Sequence, residues 1–445
     1  MAILPAMHLT LPRLSAFATP AITIAALGLP IIVFLPPLYA QAGLSLTTVG
    51  TIFMLTRIFD VATDPVFGVL GDRLDTRWGR RRTALVASVP VLMLGVWLVF
   101  FPDANATEHG LLLNMLILYV GWTMFTLSHT AWAAELSADY NTRSRIMGTI
   151  HFFTLLGSIV VLMLPVVLDQ LSVQATMRER TALMGWFILL SLPVFTLLAV
   201  STLQEPPRLT TANLPWRSAI TTLAGNRPLL WLLAIDLLLG IQSGINGSVH
   251  FFFVGQVLGI PQYASIYLVV IFVTGLLFVP LFMRMSYRIG KHPTAAIAVF
   301  ITAVGTISLF FVPANSFWLT LAVFVFVGVN FGAKDFLMRS MMADVIDQDR
   351  VTTGVDRSGL YYAMLTLTAK VGLAASVGII YPMLDMVGFD PAGANDEATL
   401  RGVRIVVATS PTLLLFLAAA LIWRFPLDRQ AQEKLRATLA ARQGS

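Results

Sequence analysis

Apolar stretches of about 20 residues, the length that carries a helix across the ~30 Å hydrocarbon core of a bilayer, alternate with short polar joins along nearly the whole chain. Twelve such stretches can be set out, at 14–39, 46–71, 83–102, 110–135, 146–169, 181–203, 228–254, 262–287, 294–313, 316–343, 357–386 and 403–425. The longest polar join, from Leu203 to Arg227, divides them six and six. The pattern therefore predicts an all-α membrane protein of twelve transmembrane helices in two six-helix bundles. The bundles are expected at 1–203 and 228–426, with a middle loop at 204–227 and a short amphipathic tail at 427–445. The segment Ala134-Glu135-Leu136-Ser137-Ala138-Asp139 at the end of span four is echoed by Ala343-Asp344-Val345-Ile346-Asp347 at the end of span ten. A six-plus-six repeat requires an echo at that place.

Composition sharpens the class. The chain is 57% hydrophobic and 12% charged, against about 25% charged in a soluble domain, and its mean hydropathy is +0.80. The net charge of +6 is not spread evenly: 21 of the 29 lysines and arginines fall in alternate joins counted from the N-terminus. Only Arg178, Arg180, Arg401 and Arg404 lie on the other side. The positive-inside rule makes the rich side cytoplasmic, both termini included, in the plasma (inner) membrane. Such a distribution speaks for topology and against nucleic acid. With no cysteine, neither a disulfide frame nor a thiolate metal site can form. The N-terminal run reads as an uncleaved first span bent by Pro20, Pro30, Pro36 and Pro37, with only Arg13 ahead of it. No metal-ligand spacing, nucleophile elbow or phosphate-cradling loop is present, so neither an enzyme nor a cofactor is expected.

Charges inside the spans mark the chemistry. Arg57, Asp60 and Asp64 are three and four apart, so on a helix they share one face. Carboxylates in hydrocarbon are costly unless paired or wet, and intramembrane acids face a bundle interior or a water-filled cavity. At 1.5 Å per residue Asp60 lies roughly 20 Å and Asp64 roughly 27 Å along span two. Thr63 offers a hydroxyl beside them, although a helical threonine usually bonds its own backbone. Lys370 falls near the middle of span eleven and needs a carboxylate, for which Asp60 and Asp64 are the best-placed acids of the other half. Asp72, Arg73, Arg80 and Arg81 after span two, Glu135 and Arg143 after span four, and Asp344, Asp347 and Arg357 before span eleven read as a cytoplasmic gate network. The same basic residues also satisfy orientation alone. In span seven Gln242, Asn246 and their polar neighbours either line a cavity or glue helices. Trp132 reads equally as packing or as a stacking platform.

Three ordered blocks carry a resemblance: Arg57-x-x-Asp60-x-x-x-Asp64-Pro65 running into Gly79-Arg80-Arg81-Arg82, Glu135-Leu136-x-x-Asp139-Tyr140-x-x-Arg143, and Asp344-x-x-Asp347 through Gly354, Arg357 and Gly359 to Lys370-x-Gly372. The whole chain resembles the glycoside-pentoside-hexuronide:cation symporters of the major facilitator superfamily, typified by the melibiose permease. That resemblance implies the major facilitator fold and sodium-, lithium- or proton-coupled uptake by alternating access. It gives Asp60 and Asp64 the coupling cation, with no other metal, and places Lys370 and Arg57 in the same charge network. It puts Trp132 at the sugar site and His151 where the permease has an arginine. The permease's two sugar-binding aspartates fall near Ile24 and Ser128, neither acidic, so the sugar contacts do not transfer. Trp132, Ser128, His151, Tyr361, Gln242 and Asn246 are the candidate substrate residues. The expected function is symport of a small organic solute, a sugar or glycoside, by a monomer in the lipid bilayer. A lysolipid or other amphiphile is the alternative, and a non-transporting scaffold or sensor the second alternative.

Overall fold

The structure, a computed structural model, describes residues 10–73, 76–103, 106–136, 140–171, 175–205, 225–353 and 357–427. Among the described residues twelve helical segments are long and apolar enough to cross a membrane. The chain divides into two compact units, Met1–Thr210 and Thr211–Ser445. Most of the expected middle loop and of the amphipathic tail lies outside the described residues.

In the first unit, span one is three helices in sequence: α1 (Leu11–Ala18), α2 (Pro20–Val33) and α3 (Leu35–Gln41). The expected continuous span is therefore a broken one, and proline is the reason. Pro20 has no N–H to offer the Ala16 carbonyl. The Thr19 hydroxyl donates to that oxygen instead, at 2.8 Å. Then follow α4 (Leu46–Arg73), α5 (Arg80–Phe100), α6 (Glu108–Glu135), α7 (Tyr140–Leu171) and α8 (Met177–Thr202). Helix α4 packs on α6, and α2 on α7 and α8. Thr176 and Glu179 form a reciprocal capping box that starts α8.

The second unit holds α9 (Arg227–Phe252), which continues as a π-helical turn over Phe253–Val257, then α10 (Ala264–Ile289), α11 (Lys291–Ser308), α12 (Phe317–Thr353), α13 (Ser358–Met386) and α14 (Glu397–Trp423). Asn226 starts α9 by accepting from the Leu229 N–H at 3.1 Å. Asp396 starts α14 by accepting from the Thr399 N–H at 2.8 Å, a bond that holds its carboxyl below the usual carboxylate range. Helices α9 and α13 meet at glycine: a Cβ on Gly372 would stand 2.9 Å from Gly240 Cα. That contact fixes the register of the helix that carries Lys370.

Span ten differs from its expected 316–343. The helix runs on to Thr353, because nothing between Met341 and Thr353 is a glycine or proline and the falling hydropathy does not break the backbone. Asp344, Asp347 and Asp349 consequently ride on its last turns instead of in a loop. The sparse basic residues of the opposite side are put to structural use. Arg178 donates to the Pro102 carbonyl at 2.9 Å, Arg180 pairs with Asp169 at 2.8 Å, and Arg404 reaches the carbonyls of Phe310 and Val312. Arg401 pairs with Glu397, one turn away on the surface.

Candidate functional site

The sequence-marked face of α4 is an internal one. Asp60 is 1% exposed and Arg57 8%, while Asp64, one turn beyond, is half-buried. The neighbour is α6, from which the Thr123 hydroxyl donates to Asp60 Oδ1 at 2.6 Å. A short bond to an ionised oxygen is of the strong, charge-assisted kind. The Arg57 guanidinium carbon stands over the rings of Tyr119 and Trp122, 5.1 and 5.8 Å from their centroids. Thr63 donates to the Asp60 backbone carbonyl at 3.1 Å, the usual habit of a helical threonine. Its hydroxyl proton is thus engaged while its oxygen keeps acceptor capacity. Among the described residues no cluster of three His, Cys, Asp or Glu side chains could hold a metal ion. A hard cation here would take the two carboxylates with hydroxyl and carbonyl oxygens, the donors such ions prefer. Lys370 stands half-buried on α13 of the second unit.

The described candidate gate residues lie in one charged cluster in each unit. Arg80, Arg81 and Arg82 open α5, where a positive helix end makes cations unfavourable unless acids offset them. Glu135 does so from the end of α6, 2.8 Å from Arg80 and 2.9 Å from Arg81. Glu205, just past α8, accepts the backbone N–H of Arg81 at 2.8 Å and lies 3.6 Å from Arg80 Nε. In the second unit Lys291 opens α11 and meets both oxygens of Asp344, at 2.6 and 2.7 Å, and the Ser340 carbonyl at 2.9 Å. The helices begin alike, after Gly79 at φ 97° and Gly290 at φ 95°, conformations that glycine adopts freely. Beside the second cluster, Asp347 pairs with Arg350 at 3.6 Å and Arg357 lies 3.9 Å from Asp349. The side chains of Asp72, Arg73 and Arg143 lie outside the described residues.

The candidate substrate residues are scattered. Trp132 is fully buried, edge-on to Phe17 with centroids 5.0 Å apart. Ser128 donates to the Met124 carbonyl of its own helix at 2.6 Å. His151 is exposed on α7, and Gln242 is buried and Asn246 half-buried on α9. Tyr361 sits with the second unit's charged cluster, where its hydroxyl accepts from Asn226 at 3.0 Å. The imidazoles of His129 and His250 bond carbonyls of Phe17 and Ala264, which makes them packing residues. Sequence reasoning missed Thr123, Tyr119 and Trp122, since a threonine or aromatic ring within an apolar helix carries no signal of its own. Glu205 and Lys291 lie outside the expected spans 181–203 and 294–313, where a charge is unremarkable.

Among the described residues, twelve helices fit to cross a membrane, six in each unit, with buried charge on α4 and charged clusters at the helix ends, make a polytopic membrane protein. The chain belongs to the MFS/sugar transport protein family, whose model matches residues 16–429. It is a transporter and not an enzyme. It is 25% identical over 95% of its length to an uncharacterized symporter of Synechocystis sp., of which 95% is covered. It is 24% identical to the glucuronide carrier protein homolog of Escherichia coli K12, over 88% of this chain and 87% of that one. The crystal structure of the nucleoside transporter NupG has the same fold, with a TM-score of 0.68 at 12% identity over 93% of this chain and 99% of that one.

Proposed function

We propose that the protein is a cation-coupled symporter of a sugar or glycoside, working by alternating access in the plasma membrane as a monomer with both termini cytoplasmic. The observation that carries the reading is the buried Asp60 carboxylate, held by Thr123 with Asp64 one helical turn away. Two carboxylates in a low-dielectric site repel until a sodium or lithium ion or a proton compensates them. Occupancy then biases which conformation is lower in energy. Symporter relatives and a glucuronide carrier homolog among the similar proteins support both the coupling and the solute class. Lys370 is proposed to share in this charge balance. The charged clusters are proposed as cytoplasmic gate elements that keep the helix ends of each unit together.

The test combines a ligand screen with two variants. Purified protein is melted with sugars, glycosides and lysolipids, in sodium, lithium or choline chloride, across pH, and uptake of any stabilising solute is then measured in proteoliposomes. Ion-driven accumulation is expected in the wild type and is expected to be lost in Asp60→Asn and in Asp64→Asn. Unaltered accumulation in both variants overturns the assignment.

One observation favours a second reading, an amphiphilic substrate. In the first unit Ile24, Leu27, Leu92, Trp122 and Phe125, with two threonines, close an apolar seam that leaves no space for a water molecule. Its surface is apolar at Ile24, where the resemblance would put a sugar-binding aspartate. Stabilisation by lysolipids and not by sugars would decide for this reading.

A further inference from the structure

Arg57 is a third charge on the face that holds the two aspartates, and the fold gives it a seat of its own. On α6, Tyr119, Trp122 and Thr123 are spaced three and four apart and so share one face. That face meets Arg57 and Asp60 of α4. The rings of Tyr119 and Trp122 lie under the guanidinium, while the next residue, Thr123, bonds the Asp60 carboxylate. The helix pair therefore sorts a cation and an anion, three residues apart, onto different kinds of surface. Arginine cannot shed its charge, and a desolvated guanidinium gains most from aromatic faces. The seat is itself braced. Tyr119 is fully buried and its ring stacks on Trp122, centroids 6.3 Å apart and planes 29° apart. On the far side, Trp122 abuts α2, where a Cβ on Gly28 would stand 3.3 Å from Cη2 of the indole.

We propose that Tyr119 and Trp122 are positioning residues for the coupling site: by holding the Arg57 guanidinium on α6, they keep the chain's own cation from competing with the transported one for Asp60 and Asp64. The inference rests on the coupling role proposed for those carboxylates. Without its aromatic seat, Arg57 swings toward the acids of its own helix and masks them.

The experiment titrates sodium chloride, lithium chloride and pH against thermal stabilisation of the purified full-length protein, with choline chloride as the control salt. In Trp122→Leu the ion concentration for half-maximal stabilisation is expected to rise about tenfold, the size of a desolvated cation–π contact. Tyr119→Leu shifts it the same way by an independent route, and Trp122→Phe, which keeps a ring face, restores most of the affinity. In an Arg57→Gln background the competitor is gone, so Trp122→Leu leaves the half-saturation where Arg57→Gln alone puts it. An equal shift in both backgrounds, which a purely structural role would produce, overturns the inference, as does no shift in either leucine variant. A wild type that responds to none of the three titrations overturns the coupling reading and this inference with it.

Discussion

Glu205 Oε2 accepts the backbone N–H of Arg81 at 2.8 Å, so a residue beyond the end of α8 caps the start of α5. The same carboxyl group neighbours Arg80 and is only 8% exposed. Two elements that the sequence separates by more than a hundred residues are thus joined at one anion.

Removing that anion leaves Glu135 alone to offset three arginines on a positive helix end. Breaking a buried ion pair costs about 3–5 kcal/mol, so Glu205→Gln is expected to lower the melting temperature in detergent by several degrees. Gly79→Ala should do the same, since it strains a backbone at φ 97° and drives a Cβ into the Glu205 carboxyl group. An unchanged melting curve in both variants would show that the cap contributes nothing.

The second unit offers a cleaner version of the same experiment in Lys291 and Asp344. Lys291→Met alone takes the ammonium from a carboxylate that is 3% exposed, and a loss of about 3–5 kcal/mol is expected. The double variant Lys291→Met with Asp344→Leu removes both charges and should recover most of that loss. Differential scanning fluorimetry of the three proteins distinguishes pairing from mere occupancy, because occupancy alone predicts additive losses.

Thr123→Val keeps the shape of the α4 and α6 contact and deletes the donor to Asp60. A hydrogen bond to a charged group contributes about 1.5–3 kcal/mol, which corresponds to roughly tenfold or more in affinity. Ion titration of thermal stability should therefore show weaker cation binding in Thr123→Val and near-normal binding in Thr123→Ser. Equal behaviour of the two variants would remove Thr123 from the site.

The absence of cysteine from the chain makes its orientation simple to measure. With a single cysteine at Asp103, in the join after α5, intact cells are expected to react with a membrane-impermeant maleimide. With one at Trp78, in the arginine-rich join before α5, reaction is expected only after permeabilisation. The opposite pattern would invert the proposed topology.

Periodicity and hydropathy made most of the helices legible, because spanning a bilayer demands a long apolar run whatever its partners are. They failed at helix ends. Arg80 and Lys291, outside the expected spans 83–102 and 294–313, sit in first turns, and Asp344, Asp347 and Asp349 ride on the long end of α12. Polarity marks where a chain leaves the membrane, which is not where its backbone stops being helical. The proline breaks of span one were foreseen as bends but not as two interruptions, since a break also depends on a side chain such as Thr19 taking the orphaned carbonyl.

What the sequence by itself determined is the class of molecule, the number of its spans, and a helix face that carries intramembrane charge. Each follows from local chemistry: the length of an apolar run, the spacing of Arg57, Asp60 and Asp64, the bias of the arginines. Only the tertiary structure decided which neighbours those charges meet. Thr123 at Asp60, Tyr119 and Trp122 beneath Arg57, and Glu205 at the start of α5 come from residues tens to more than a hundred positions away. A hydroxyl or an aromatic ring is ordinary in any apolar helix, and it becomes part of a charged site only when packing turns it toward one.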